Sequence, residues 1–468
     1  MKEQKKEGGK SRTRFPDALD GSSHPTIDCG NQYSTSVSAL QGEIEEKFQP
    51  KKKRSLRLAE LYTELSQMCK AEAEALFAEF DRNYIEADDF ATEVDNIETL
   101  AAKVMAGDDE AFNQEYEAYV RRGAFAQRQA EIFRGRADRV ENCGTLLEFR
   151  LTEQEKRLHK GNFCKDRFCP MCNWRRSLKI FGQVSQIMDV LEARGYRFLF
   201  LTVSVRNALP DISGDNFFTA VQTMYDGWRT LYNNYFRKNK TLKDVICGTF
   251  RSFEVTINKE RKCDNGSPNP WYGSFHPHFH VILAVKPEYF HKAYVKQEQW
   301  VEMWRVCCGL DYEPTVDIRT IKPKPDKKNG ETSIAGAVSE VSKYTVKDKD
   351  YLGLDDDGRD SRQLDILGLD RTYYLRVLAL GLKGRRLVDM TGCFREVKSR
   401  LGLDDTENGD LVHVEKEEIR EDIAYLIVKY QWRNGVYVAT YKEHEPTMED
   451  RLKAIGNLAP TAEEAENL

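Results

Sequence analysis

The apolar and polar positions change character several times along the chain. Residues 1 to about 50 are polar, contain Gly and Ser, and show no period, so a disordered tail is expected there. In "KKKRSLRLAELYTELSQM" Leu56, Leu58, Leu61 and Leu65 approach 3.6-residue spacing, and charged helical sequence is expected to continue to about 140. From about 196 the elements can be counted. "RFLFLTVSV" (197–205) is β-branched and aromatic and predicts a strand. Phe217, Val221, Met224, Trp228, Leu231 and Tyr235 then share one helix face. "VICGTFRSFEVTI" (245–257) alternates as a strand does, and the loop "NGSPNPWYG" separates it from the next strand, "GSFHPHFHVILAV" (273–285). "YFHKAYVKQEQWVEMWRVCC" predicts a helix, "PTVDIRTIK" a short strand, and "SIAGAVSEVSKYTVKD" a last helix.

The order β-α-β-β-α-β predicts an α+β, ferredoxin-like (βαββαβ) antiparallel sheet. Right-handed crossovers would put both helices on one face. The first and third strands would be central, with the third between the first and second. Side chains alternate across a strand. Phe279, Val281, Leu283 and Val285 would then lie under the helices, and His276, His278 and His280 would face the uncovered side. Ser252, Glu254 and Thr256, with Thr202 and Ser204, would join them there.

Composition narrows the class. The chain has 468 residues, enough for more than one domain, and is 40% hydrophobic, enough for a core. No apolar run approaches the roughly 20 residues that span a bilayer, and "MKEQKKEGGKSRTR" precedes no apolar leader segment. A soluble, cytoplasmic protein without membrane association is expected. A net charge of −5 gives no general attraction to nucleic acid, so any such site has to be a local basic face. Eleven cysteines in that setting point to thiols or metal ligands rather than disulfides.

Two imidazoles at i, i+2 and a carboxylate on the paired strand suit a divalent cation, with positions left for substrate oxygens. On the last helix Glu340, Tyr344, Lys347 and Tyr351 share a face. A tyrosine beside a metal can act as a nucleophile, with Lys347 supplying positive charge and Glu340 serving as a base. "CKDRFCPMCNWRRS" (164–177) places Cys164, Cys169 and Cys172 together, and Cys143 would complete a closed tetrahedral zinc site, with His159 as the other candidate. Arg175 and Arg176 would contact phosphates or form a solvated helix face. Lys322, Lys324, Lys327 and Lys328 precede the tyrosine helix and are candidate backbone contacts for DNA. The acidic end, 403–468, contains "YLIVKYQWRNGVYVATY", a hairpin pattern with "RNG" at its turn.

Three segments, "FLFLTVSVRN", "HPHFHVILAV" and "EVSKYTVKDKDY", occur in the order of the plasmid rolling-circle replication initiators, and the chain resembles that family within the HUH endonuclease superfamily. The stretch "LALGLKGRRLVDMTGCFRE" (378–396) and the cysteine block resemble it too. The resemblance implies that Tyr344 attacks a phosphodiester of single-stranded or hairpin origin DNA, leaving a 5′-phosphotyrosine and a free 3′-OH. It implies Mg²⁺ or Mn²⁺ on His278, His280 and Glu254, and it includes the cysteine block, where Cys164, Cys169 and Cys172 with Cys143 are expected to hold structural Zn²⁺. His276 is open between a ligand, a group that orients one, and a DNA contact. Glu340 matches the branch with one tyrosine, in which it activates water for termination; Tyr351 is the rival, as a second tyrosine. A host helicase and polymerase are the implied partners. The organisation expected is a tail (1–50), a helical region (51–140), a Cys-rich zinc-binding element (141–180), a nuclease domain (181–400) and an acidic C-terminal region (401–468). A mobilisation relaxase or transposase of the same superfamily and a non-catalytic zinc-containing DNA-binding regulator are the alternatives.

Overall fold

The computed structural model describes residues 33–93, 109–211, 216–322, 324–325, 332–333, 338, 351–352, 371–414, 421 and 423–451. Helix begins earlier than its leucine spacing suggested. α1 (Ser34–Glu43), a π-helical turn (Ile44–Phe48) and α2 (Gln49–Glu93) follow without a break. The expected tail up to 50 is thus corrected from Ser34 onward. Val37, Leu40, Ile44 and Phe48 form a buried stripe too sparse to stand out among polar neighbours. α3 (Asp109–Glu141) packs along α2, with Tyr62 stacked on Phe133 at 5.9 Å.

The chain then forms β1 (Leu146–Leu151), β2 (Lys156–Gly161), α4 (Pro170–Ala193) and β3 (Arg197–Ser204). α5 (Asn216–Leu231) is followed by β4 (Ile246–Ile257) and β5 (Phe275–Val285). The long predicted helix is a single turn, Tyr289–Lys292, and then α6 (Gln297–Cys308). β6 (Val316–Thr320), α7 (Arg371–Gly381), β7 (Val388–Gly392), α8 (Cys393–Arg400), β8 (Tyr425–Arg433) and β9 (Val436–His444) follow, with a short ladder of Lys324–Pro325 on Thr332–Ser333 after β6.

The central sheet has the order β6-β3-β5-β4-β7, every pair antiparallel. Its first four strands stand as the βαββαβ reading expects, with β3 and β5 inside. β7 adds a fifth strand on the β4 edge that the sequence pattern does not announce. α5 covers one face, where Phe279 meets Tyr225 and Trp228 at ring distances of 5.4 and 5.9 Å. The opposite face is not uncovered throughout. At the β3 N-terminal end Phe394 of α8 reaches Phe198, 6.5 Å between rings, and only the far end of that face carries the histidines.

A second antiparallel sheet, β9-β8-β1-β2, joins the two ends of the described chain. Phe48 packs on Phe149 beneath it. β8 and β9 are the predicted hairpin. Asn434 and Gly435 both have positive φ, 49° and 85°, as a two-residue turn between right-twisted strands requires.

Candidate functional site

The metal-ligand pattern on the central sheet follows from register. Glu254 of β4 stands opposite His278 of β5, and Ser252 opposite His280. On the other side Thr202 and Ser204 of β3 stand opposite His280 and His278. Alternation then turns Glu254, His278 and His280 to one face. The Glu254 carboxylate lies 3.4 Å from His278 Nε2 and 3.1 Å from His280 Nε2. The Nδ1 atoms point elsewhere. His278 Nδ1–H donates to the His276 carbonyl at 3.1 Å, and His280 Nδ1 lies 3.1 Å from the Thr202 hydroxyl. Such contacts fix each ring and leave both Nε2 lone pairs for an ion.

All three residues are buried, with 4–8% of their surface exposed. Burial pushes the Glu254 carboxyl up, but hydrogen bonds and charge from His278 and His280 outweigh it and hold the group at about 2. Two imidazoles and a carboxylate whose ligand atoms lie within 4.8 Å of one another fit a divalent ion. His276 is not in this group. Its Nδ1–H donates to Asn207 Oδ1 at 2.7 Å, and burial, reinforced by His278, lowers its pKa to about 4. It lines an adjoining cleft of about 480 Å³ with Asn207, Thr256, Ile257, Asn258, Lys259 and Glu260. Asn207 was missed as a site residue, although "SVRN" places it just past the end of β3.

The four cysteines also converge. Cys143 Sγ lies 3.5 Å from Cys172 and 3.6 Å from Cys169, and Cys164 Sγ lies 3.6 Å from Cys172. Sulfurs about 2.3 Å from one zinc ion would stand about 3.8 Å apart, so the donor set fits a closed tetrahedral site. The donors around it suit thiolates. The Cys164 amide points at Cys143 Sγ, the Asp166 amide at Cys164 Sγ, and the Ser55 hydroxyl lies 3.3 Å from Cys169 Sγ. Burial raises Cys169, yet hydrogen bonds from the other three thiols and Ser55 outweigh it and hold it well below an ordinary thiol. His159 lies elsewhere, 3.0 Å from an Arg150 guanidinium nitrogen, so of the two candidates Cys143 is the one that joins the other three sulfurs.

Arg175 and Arg176 are corrected. Both are buried in α4 rather than turned to solvent or DNA. Arg175 donates to the carbonyls of Leu411 and Val412, and Arg176 to those of Glu407, Asp166 and Lys165. Their acceptors lie up to 237 residues away, which no local pattern shows. Lys322 is exposed. The backbone of Lys324 is in a two-residue strand, and its side chain lies outside the described residues, as do Lys327 and Lys328. Glu340, Tyr344 and Lys347 lie outside them too. Tyr351 is described and is 1% exposed, its hydroxyl donating to the Phe168 carbonyl. That burial removes it as a second nucleophile.

A family model described as "Replication protein" matches residues 155–438. The chain belongs to this replication-protein family. A "Protein rep" of Bacillus amyloliquefaciens is 34% identical over 318 residues, covering 66% of this chain and 85% of the relative. A "Protein rep" of Lactiplantibacillus plantarum is 34% identical over 291 residues, 61% of this chain and 81% of the relative. A "Replication protein" of Staphylococcus aureus is 33% identical over 244 residues, 52% of this chain and 89% of the relative. No solved structure matches. The resemblance to the plasmid rolling-circle replication initiators is thereby borne out. Within the family's matched span lie β2, the cysteine loop and the whole central sheet; Cys143 and the N-terminal helices lie before it. Among the described residues no helix is long and apolar enough to cross a membrane.

Proposed function

We propose that this replication protein nicks one strand of a plasmid origin and transfers it, initiating rolling-circle replication. The observation that carries the reading is the convergence of Glu254, His278 and His280 beside a polar cleft. Bound there, Mg²⁺ or Mn²⁺ would polarise a phosphodiester and stabilise charge developing on its oxygens. Glu254, His278 and His280 hold the ion, and the Nδ1 contacts of the two imidazoles keep them oriented. Tyr344 attacks the phosphorus through its phenolic oxygen; a P–O bond to the tyrosine forms as the bond to the departing 3′-oxygen breaks. The products are a 5′-phosphotyrosine and a 3′-OH that primes synthesis. Lys347 favours the phenolate, whose ordinary pKa is about 10. Glu340 removes a proton from water to end the cycle. The cytoplasm is the compartment, origin DNA the substrate, and a host helicase and polymerase the partners.

The test uses the full chain with labelled single-stranded oligonucleotides tiling the DNA that flanks its gene. The expected result is an SDS-stable protein–DNA adduct with Mn²⁺ or Mg²⁺, absent in EDTA and absent in Tyr344→Phe. An adduct that persists in Tyr344→Phe removes the nucleophile assignment. Binding without cleavage under every divalent ion removes the enzymatic reading.

A further inference from the structure

We infer that the cleft beside Glu254, His278 and His280 receives one unstacked base of the single-stranded origin, and that His276 reads this base by accepting a hydrogen bond from its exocyclic amine. The inference rests on the sheet site being where origin DNA is held. It adds to that reading a residue that sets sequence preference.

A chain of hydrogen bonds decides which nitrogen of His276 accepts. The hydroxyl of Ser274, a fully buried residue, donates to the Trp271 carbonyl. Its oxygen then accepts from the Asn207 amide nitrogen at 3.0 Å. This turns the Asn207 amide oxygen toward His276, 2.7 Å from Nδ1. An amide oxygen only accepts, so Nδ1 carries the ring proton, and Nε2 of the neutral imidazole keeps its lone pair. The backbone around the chain is fixed as well. Ala208 and Phe275 exchange two hydrogen bonds at 2.8 Å, and Asn258 accepts from Gly273 at 2.8 Å and donates to Ser274 at 2.9 Å. The acceptor is therefore in place before a ligand arrives, which lowers the ordering cost of binding.

The chemistry of the cleft suits a base edge better than a phosphate. Glu260 lines it, and a carboxylate repels a phosphate but accepts from N–H groups. His276 supplies a second acceptor. The volume, about 480 Å³, lies in the range of sites that enclose small organic groups. The loop that leaves β4 carries what the rest of a strand needs. Lys259, Arg261 and Lys262 stand exposed for its phosphates, and Trp271, 37% exposed, offers a face on which a neighbouring base can stack. The His276 and His278 rings are 5.3 Å apart, so the base in the cleft belongs to a nucleotide adjoining the phosphate at the metal site. Adenine, cytosine and guanine each present an amine on an edge. Thymine presents one N–H between two carbonyls, whose lone pairs would meet the acceptors of Glu260 and His276. Thymine is the base this cleft disfavours.

The experiment measures Kd by fluorescence anisotropy for the full chain in EDTA, at about pH 7.5, where an imidazole of ordinary pKa is neutral. The probes are single-stranded oligonucleotides tiling the DNA that flanks the gene. A single abasic site is moved along the best-bound one, with the wild type and with His276→Phe, which keeps a ring and loses the acceptor. One position is expected at which the abasic site weakens wild-type binding and costs His276→Phe nothing further. At that position, thymine or the native base stripped of its amine is expected to raise the wild-type Kd about two- to tenfold, the worth of one neutral hydrogen bond. The base analogues use the wild-type chain alone, so that result does not depend on how the variant folds. A wild-type chain indifferent to the amine at every position overturns the inference. So does a His276→Phe chain that binds every oligonucleotide more weakly by one common factor, since His276 would then contact backbone. Failure of the nicking reading looks different: discrimination at one position in EDTA, with no adduct when Mn²⁺ is added, keeps the base site and removes the nicking. A wild-type chain that binds no oligonucleotide overturns both.

Discussion

His276 and His278 are two residues apart on one strand and have different surroundings. His278 faces a carboxylate that is held ionised, whereas His276 faces an amide oxygen and the cleft. Burial, with His278 beside it, penalises charge on His276 by more than Glu254 favours it, and its pKa falls from 6.5 to about 4. The sign of the pH effect follows. Between 6.5 and about 4 the unfolded chain binds a proton at His276 that the folded chain refuses, so acidification through that window destabilises the fold. The Glu254 window lies lower, between 4.5 and about 2, where stability is again lost as pH falls. Measuring thermal midpoints in EDTA from pH 6.5 to 5 therefore separates the two. His276→Asn is expected to lose less stability over that range than the wild type; an equal slope would place the titration elsewhere. The same substitution leaves Glu254, His278 and His280 in place, so a role for His276 in the cleft predicts weaker oligonucleotide binding with divalent-ion affinity retained.

At the scale of elements, legibility depended on how far apart in sequence the partners lie. β3, β4 and β5 could be read, along with the face their histidines take, because period-2 alternation is local and the βαββαβ order fixes neighbours. β7 is only five residues and lies on the sheet edge, so its pattern carries little signal. The acidic C-terminal region could not be given a job from sequence, and α4 explains why. Lys179 and Gln183 reach Asp404, Arg175 reaches the carbonyls of Leu411 and Val412, and Arg176 that of Glu407. Glu407 in turn accepts from the Leu387 amide at 3.1 Å, at the start of β7. The two arginines that sequence offered to DNA are thus what fastens the acidic segment to the helix behind the cysteines. A buried guanidinium with several carbonyl partners is worth more to stability than to binding. Arg176→Ala is expected to lower unfolding stability by about 2–3 kcal/mol, measured by denaturant titration. Oligonucleotide affinity of the folded variant is expected to stay within about twofold of wild type, because no phosphate contact is lost. Unaltered stability with reduced affinity would restore the DNA-contact reading.

Across the whole molecule, the family's matched span is incomplete as a folding unit in this chain. Cys143, the fourth sulfur, precedes residue 155, as do β1 and both long helices that grip the cysteine loop. Lys52 of α2 is fully buried beside the sulfurs and donates to the Glu141 carbonyl at the end of α3. Burial lowers its pKa, and the charges of Cys143 and Cys169 offset part of that fall, as a cation facing thiolates should behave. The N-terminal helices therefore brace the four-cysteine site: Tyr62 and Arg136 hold the Asp166 carboxylate of the loop, and Ser55 lies 3.3 Å from Cys169 Sγ. Cys143→Ser tests this chain of dependence. Three thiolates bind zinc less tightly than four, so zinc content measured after dialysis is expected to fall. Loss of the closed loop should lower the thermal midpoint and expose the 164–172 segment to protease. Cys247→Ser is the control: that thiol is half-buried at the start of β4, 3.8 Å from the Val245 carbonyl and outside the cluster, and its loss should leave zinc content unchanged. If Cys143→Ser kept its zinc and its protease resistance, the N-terminal helices would be a separate module resting on the family's span. If instead both are lost while Glu254, His278 and His280 still bind Mn²⁺, then the helices and the cysteine loop fold as one unit on which the sheet site does not depend.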